Sequence, residues 1–193
     1  MEITWLELAR GRGSRMGSVD KGRAMLGGQA MVQHVLARLR QRVQRLLISA
    51  NQTAEHYAAY GAPVWPDAVP DFAGPLAGLQ TGLMHCETPY LGTAPCDSPF
   101  LPTDLVERLS AGLVANGADI AVALIGEGET RHPHPVFCLT RVSVLPHLNL
   151  YLQGGGRKME RWYNTLRVAE VHFADEAAIR NINTLDELHQ SGG

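Results

Sequence analysis

The sequence predicts an α/β domain built on a mostly parallel sheet flanked by helices. Short apolar runs alternate with amphipathic segments along most of the chain, the pattern of strand–helix–strand units. The first apolar run, Ile3 to Leu8, feeds directly into a glycine-rich cationic loop. Polar residues suited to ligand chemistry then follow successive strands: the loop at 8–22, Ser49 to Asn51, Asp67 and Asp97. In a parallel sheet those exits share one edge, and ligands bind there.

The elements follow in order. Ile3 to Leu8 reads as a central strand buried on both faces, which leaves Glu7 out of place among aliphatics. Residues 29–44 read as a helix, with Val32, Val35, Leu36, Leu39 and Val43 on one face and Arg38, Arg40, Gln41 and Arg45 on the other. Residues 46–50 form the second strand. Asn51, Gln52 and Thr53 supply caps for a helix through Tyr60, ended by Gly61-Ala62-Pro63. Val64-Trp65 begins a third strand, with Asp67 at its exit. Residues 71–78 form a loop that runs into a helix ending near Cys86. Residues 90–94 form the fourth strand, and Pro102-Thr103-Asp104 opens a helix carrying Leu105, Val106, Leu109 and Leu113. Residues 119–125 form a strong strand. Residues 126–135 read as a polar loop and 136–140 as a strand. Residues 142–152 read as helix, 168–173 as strand, and Thr184-Leu185-Asp186-Glu187 as a capping box that starts a last helix.

A chain of 193 residues with 45% hydrophobic side chains supports one sizeable domain, here taken as 1–193, and is short for two. The net charge of −2 gives no global argument for nucleic acid or a membrane surface, so the basic first loop is a local feature. Cys86, Cys96 and Cys138 are odd in number and widely spaced, which fits reduced thiols in the cytoplasm. No run approaches the length of a membrane span, and no leader is evident.

The first loop, LARGRGSRMGSVDKG from Leu8 to Gly22, has the chemistry of a phosphate cradle. Glycines at 11, 13 and 17 let backbone N–H groups approach an anion, and Arg10, Arg12, Arg15 and Lys21 neutralise its charge. Met16 stands where a dinucleotide fingerprint needs its third glycine. Lys21-Gly22 replaces the G-K-[ST] of an ATPase loop. Asp97, fixed between Pro95 and Pro99, is either a ligand for Mg²⁺ opposite that loop or a turn cap. Asp67 has the same geometry with less behind it. His132 and His134 alternate with prolines and read as a stiff loop lining the pocket, since no third metal ligand is evident. Arg157, Lys158 and Arg161, beside three glycines, either grip a second anion or form a solvated turn.

Taken together, Leu8-Ala9, Gly11, Arg15-Met16-Gly17, Asp20-Lys21-Gly22, Gly74-Pro75-Leu76-Ala77-Gly78, Pro95-Cys96-Asp97 and Asn181-Ile182-Asn183-Thr184 resemble the signature series of the molybdenum cofactor guanylyltransferase (MobA) family, in order and over nearly the whole chain. The resemblance implies a Rossmann-like α/β domain of the nucleotide-diphospho-sugar transferase type. It implies transfer of GMP from GTP to the phosphate of molybdopterin with release of pyrophosphate. Arg15, Lys21, Asp97 and Asn183 would then be catalytic. Leu8, Ala9, Arg10, Gly11, Lys21, Ser49, Asp67, Gly74, Pro75, Leu76, Gly78 and Asp97 would bind GTP, and Asp97 would hold Mg²⁺, with Mn²⁺ as the alternative. Arg157, Lys158 and Arg161 would face the pterin. The implied partners are GTP, molybdopterin and, for the product, molybdoenzymes or delivery proteins; the chain is expected to be a cytoplasmic monomer.

The sequence departs from that pattern at Glu7 for an aliphatic, Arg10 for a glycine, Ser18 for a glycine, and Ala30 and Leu185 for prolines. Glu7 and Arg10 either weaken GTP binding or strand packing, or pair with each other. Two alternatives therefore stand beside guanylyl transfer: a related cytidylyl or sugar-phosphate nucleotidyltransferase, or a catalytically impaired nucleotide- or pterin-binding protein.

Overall fold

The computed structural model describes residues 1–9, 12–13, 19–51, 54–67, 74–179 and 181–182. The order is β1 (Ile3–Leu8), β2 (Arg12–Gly13), β3 (Val19–Asp20), β4 (Met25–Leu26), β5 (Gln29–Ala30), α1 (Met31–Leu39), β6 (Arg45–Ser49), α2 (Ala54–Ala58), β7 (Val64–Trp65), α3 (Pro75–Met84), β8 (Tyr90–Pro95), α4 (Leu105–Ala115), β9 (Ile120–Ile125), β10 (His132–Arg141), α5 (Leu145–Gln153), α6 (Met159–Tyr163) and β11 (Val168–His172). Seven strands form one sheet in the order β11-β9-β10-β8-β1-β6-β7. All pair in parallel except β10, which runs antiparallel to β8 and β9. Helices cover both faces, as the sequence predicts. Among the described residues, no helix is long and apolar enough to cross a membrane.

Alternation along β1 builds both halves of the core. Ile3 and Trp5 pack on one face with Val35 and Leu39 of α1 and Leu105, Leu109 and Leu113 of α4. Leu6 and Leu8 pack on the other with Leu76, Leu79 and Leu83 of α3, Leu148 and Leu152 of α5, and Trp162 of α6. Trp5 is fully buried because its neighbour on β8 is Gly92, where a Cβ would overlap the indole ring.

The first predicted helix is shorter than its apolar period. Gln29 and Ala30 belong to a hairpin with Met25 and Leu26, turned by Gly27 and Gly28 at φ 55° and 83°. The helix then starts at Met31, where Gln33 Oε1 accepts a bond from Ala30 N at 3.0 Å. It ends at Leu39 because Gln44 is drawn into the sheet edge: its backbone N–H donates to Ile3 O, and its side chain accepts from Ile3 N at 2.7 Å.

The loop expected over 126–135 is corrected: β10 begins at His132. His132, Pro133 and His134 pair with Ile125, Leu124 and Ala123 of β9. Proline is tolerated there because this half of β10 has no partner in β8, where pairing begins only at Cys138, and a register shift lies between His134 and Cys138. Other boundaries move by a residue or two. Residues 142–152 divide into a 3₁₀ turn, Val142–Val144, followed by α5. Gln52 and Thr53, proposed as caps, and the capping box at 184–187 lie outside the described residues.

Candidate active site

The carboxyl ends of β8, β1, β6 and β7 are tied into one line by the backbone. Cys96 N donates to Leu8 O, Ala9 N to Ser49 O and Ala50 N to Trp65 O. Every side chain that leaves these strand ends therefore starts from the same edge, and the convergence expected from sequence holds for Lys21, Ser49, Asp67 and Asp97.

At the centre, Lys21 Nζ lies 3.0 Å from Asp97 Oδ2. Lys21 opens a short 3₁₀ turn, Lys21–Arg23, which is closed by Ala24 N donating to Lys21 O at 3.1 Å. Gly22 seats that turn. A Cβ there would overlap the Tyr57 hydroxyl and lie 3.0 Å from Cys96 Sγ. Asp97 is 4% exposed, and its second oxygen, Oδ1, is buried without a hydrogen-bond partner. Burial pushes the Asp97 carboxyl above the usual range, opposed by the Lys21 ammonium.

A second group lies on the β6–β7 side. Ser49 Oγ donates to Asp67 Oδ1 at 3.1 Å, Asn51 Nδ2 donates to Asp67 Oδ2 at 2.7 Å, and Asp67 N donates back to Asn51 Oδ1 at 2.7 Å. Asp67 is thus held by both neighbours. Gly74 and Pro75 open α3 from the same edge, with Pro75 at the first helical position. Leu76 and Gly78 are buried in that helix, and Leu76 belongs to the core beneath β1. Leu8 and Ala9 are buried at the end of β1. Arg10, Gly11, Arg15 and Asn183 lie outside the described residues.

Asn181 and Ile182 reach the same place. Ile182 N donates to Asp97 O at 2.8 Å, and Ser98 Oγ donates to Asn181 Oδ1 at 2.9 Å. These bonds tie the first two residues of the Asn181-Ile182-Asn183-Thr184 motif to Asp97 and Ser98. Arg157 Nη1 donates to Leu152 O at 3.0 Å and to Gly156 O at 2.6 Å, at the end of α5. Lys158 precedes α6 and Arg161 lies in its last turn.

Glu7 is fully buried, in register with Ile48 and Ala94. Neither carboxyl oxygen has a hydrogen-bond partner among the described residues, and Arg10, the alternative partner, lies outside them. Burial pushes its pKa well above the usual carboxylate range.

Sequence reasoning did not single out Ser98 or Tyr57, which carry no motif of their own. His134 was placed on a loop; the structure puts it on β10, close enough to Asp97 for each to feel the other's charge.

Comparison with known proteins agrees with this arrangement. The profile of the MobA-like NTP transferase domain matches residues 7–169. A molybdenum cofactor guanylyltransferase of Cupriavidus necator is 55% identical over 97% of this chain and 94% of its own length. One of Cupriavidus taiwanensis is 53% identical over the same shares. The crystal structure of molybdopterin-guanine dinucleotide biosynthesis protein A from Archaeoglobus fulgidus superposes with a TM-score of 0.77 at 23% identity, covering 98% of this chain and 96% of that one, which shows the shared fold. With a nucleotidyltransferase sheet, a lysine–aspartate pair at its carboxyl edge and relatives of this closeness over nearly full length, the chain belongs to the MobA-like NTP transferase family, alongside the molybdenum cofactor guanylyltransferases.

Proposed function

We propose that this protein transfers GMP from GTP to the phosphate of molybdopterin. A phosphate oxygen of the acceptor attacks the α-phosphorus of GTP. The bond from that phosphorus to the bridging oxygen breaks, and pyrophosphate leaves. The observation that carries the reading is the Lys21–Asp97 pair, part-buried at the edge where the strand exits meet.

The residues present fit a divalent cation. Asp97 offers one oxygen to Lys21 and keeps a second, buried and without a partner, as a ligand atom. A hard cation such as Mg²⁺ is commonly held by one carboxylate together with substrate phosphates. When bound, it would neutralise the charge that builds on the phosphates in the transition state.

The chain's own groups do the rest by positioning. Lys21 is held in place by Asp97, so its ammonium meets the phosphates of GTP without being reordered. Arg15 and the backbone of the glycine loop extend that cradle. Ser49 and Asn51 fix Asp67, which borders the nucleoside beside Gly74 and Pro75. Arg157, Lys158 and Arg161 are the cations that would face the pterin, with Arg157 anchored to the end of α5 through Nη1. A formed Lys21–Asp97 pair weighs against a binding-only role. We place the protein in the cytoplasm, acting as a monomer that passes its product to molybdoenzymes.

The test is pyrophosphate release from GTP and molybdopterin with Mg²⁺, run beside Asp97→Ala. Release that needs both substrates and Asp97 supports guanylyl transfer. Release that persists in Asp97→Ala, or that needs no acceptor, overturns it.

A further inference from the structure

Asp97 marks a boundary in the sheet. The residues suited to the nucleotide, Lys21, Ser49 and Asp67, leave the strands from β1 to β7, while β10 and β9 lie on the other side of β8. In-line displacement at phosphorus requires the incoming and leaving oxygens on opposite sides of the reacting atom. If the nucleotide occupies the β1–β7 side, the acceptor must come from the side of β10.

His134 stands there. Because β10 is antiparallel, its first residues lie at the carboxyl edge of its neighbours, and His134 is in register with Ala123 near the end of β9. Beyond Thr93, β8 no longer pairs with β10, so the chain from Ala94 to Asp97 and the start of β10 face each other without a ladder between them. The imidazole is held firmly. It packs edge-on against Phe137 with centroids 5.0 Å apart and planes at 71°, between Pro133 and Pro135. Nδ1 is buried with no hydrogen-bond partner among the described residues. A fixed, half-buried imidazole with a ring nitrogen to spare can donate to a phosphate oxygen. Burial, with His132 beside it, holds this imidazole below the usual histidine range, against the opposing pull of Asp97.

We propose that His134 docks the phosphate of the acceptor substrate beside Asp97, across β8 from the nucleotide. The proposal rests on the guanylyl-transfer reading above and adds the residue that receives the second substrate.

The experiment compares full-length wild-type protein with His134→Ala and His134→Gln. Steady-state kinetics give KM for molybdopterin. Titration of molybdopterin into protein saturated with a non-hydrolysable GTP analogue and Mg²⁺ gives a binding constant without turnover. In His134→Ala, both should weaken by about tenfold to a hundredfold, the worth of a hydrogen bond to a charged group. GTP affinity and melting temperature should stay close to wild type. His134→Gln, which keeps an N–H donor, should recover part of the loss. Unchanged acceptor binding in His134→Ala, an equal loss of GTP affinity, or a glutamine variant no better than alanine would each overturn the proposal. Wild-type protein that binds both ligands without transferring GMP would refute guanylyl transfer itself, and the titration would still decide the role of His134.

Discussion

Lys21 and Asp97 are 76 residues apart in the chain and 3.0 Å apart in space, and the lysine answers the burial of the carboxylate. Asp97 is almost fully enclosed, and a carboxylate in that position needs a cation. Lys21 supplies half of what it needs, and the unpartnered Oδ1 leaves room for the other half. Replacing Asp97 with Asn should cut guanylyl transfer by roughly a hundredfold to a thousandfold, by loss of charge stabilisation at the reacting phosphates. In metal-free buffer the same variant should melt at or above the wild-type temperature, because a buried charge is gone. Wild-type protein should gain stability on adding Mg²⁺ with GTP, and Asp97→Asn should lose that gain. Differential scanning fluorimetry with and without the ligands checks all three melting statements.

Gly22 makes the lysine's position possible. A side chain there would collide with the Tyr57 hydroxyl and press on Cys96, pushing the Lys21 turn away from Asp97. Gly22→Ala should cost about 1–3 kcal/mol of stability through overpacking and lower activity as Lys21 shifts. Tyr57→Phe removes the colliding oxygen. The double variant should therefore recover part of both losses, and a thermodynamic cycle on melting temperature and kcat/KM measures the coupling.

Glu7 gives a prediction in pH. Its folded-state pKa lies well above its unfolded value of 4.5, so the folded chain holds a proton that the unfolded chain gives up. That term favours folding below about pH 4.5 and is lost as pH rises toward the folded pKa. Glu7→Gln should match wild type in acid and become the more stable protein at neutral and alkaline pH. The difference should grow by about 1.4 kcal/mol for each pH unit between 4.5 and the folded pKa, the free energy of the proton that the unfolded chain gives up. Glu7→Val should gain at least as much. Melting curves from pH 4 to pH 9 test this (about the usable range for thermal scans), and a constant difference across that range would refute it.

Asn51 acts through Asp67. It both donates to the Asp67 carboxylate and accepts from the Asp67 backbone, so it fixes the side chain and the turn together. Asp67→Ala should weaken GTP binding by about tenfold, as for a lost charge-assisted hydrogen bond, and Asn51→Ala should do so by a smaller factor. Binding titrations with GTP and Mg²⁺ distinguish them. ATP affinity should change little if Asp67 helps to select the nucleoside.

Much of this site was legible because it lies at strand exits, and strands announce themselves by short apolar runs. Leu8, Ser49, Asp67 and Asp97 were placed by that reasoning alone, and the structure gathers them at one edge. Helix and strand ends were less legible where distant partners decide them. Nothing local says that Gln44 will bond Ile3, yet that bond takes residues 40–44 out of the first helix. The Gly27-Gly28 pair did carry a hairpin signal, which the longer apolar period obscured. The strand that carries His134 was hidden by its prolines, which read as loop until a neighbouring strand with free edge positions accommodates them. Glu7 shows the converse. Its burial follows from its place in the first strand, but its lack of a partner is visible only in three dimensions.

The most direct measurement follows the α-phosphorus. GTP labelled at that position is incubated with molybdopterin, Mg²⁺ and the protein, with CTP labelled in the same way run alongside. Label from GTP should appear in a pterin dinucleotide, with unlabelled pyrophosphate released in equal amount, and CTP should transfer little. Label that stays in GTP, or passes equally well from CTP, would contradict guanylyl transfer.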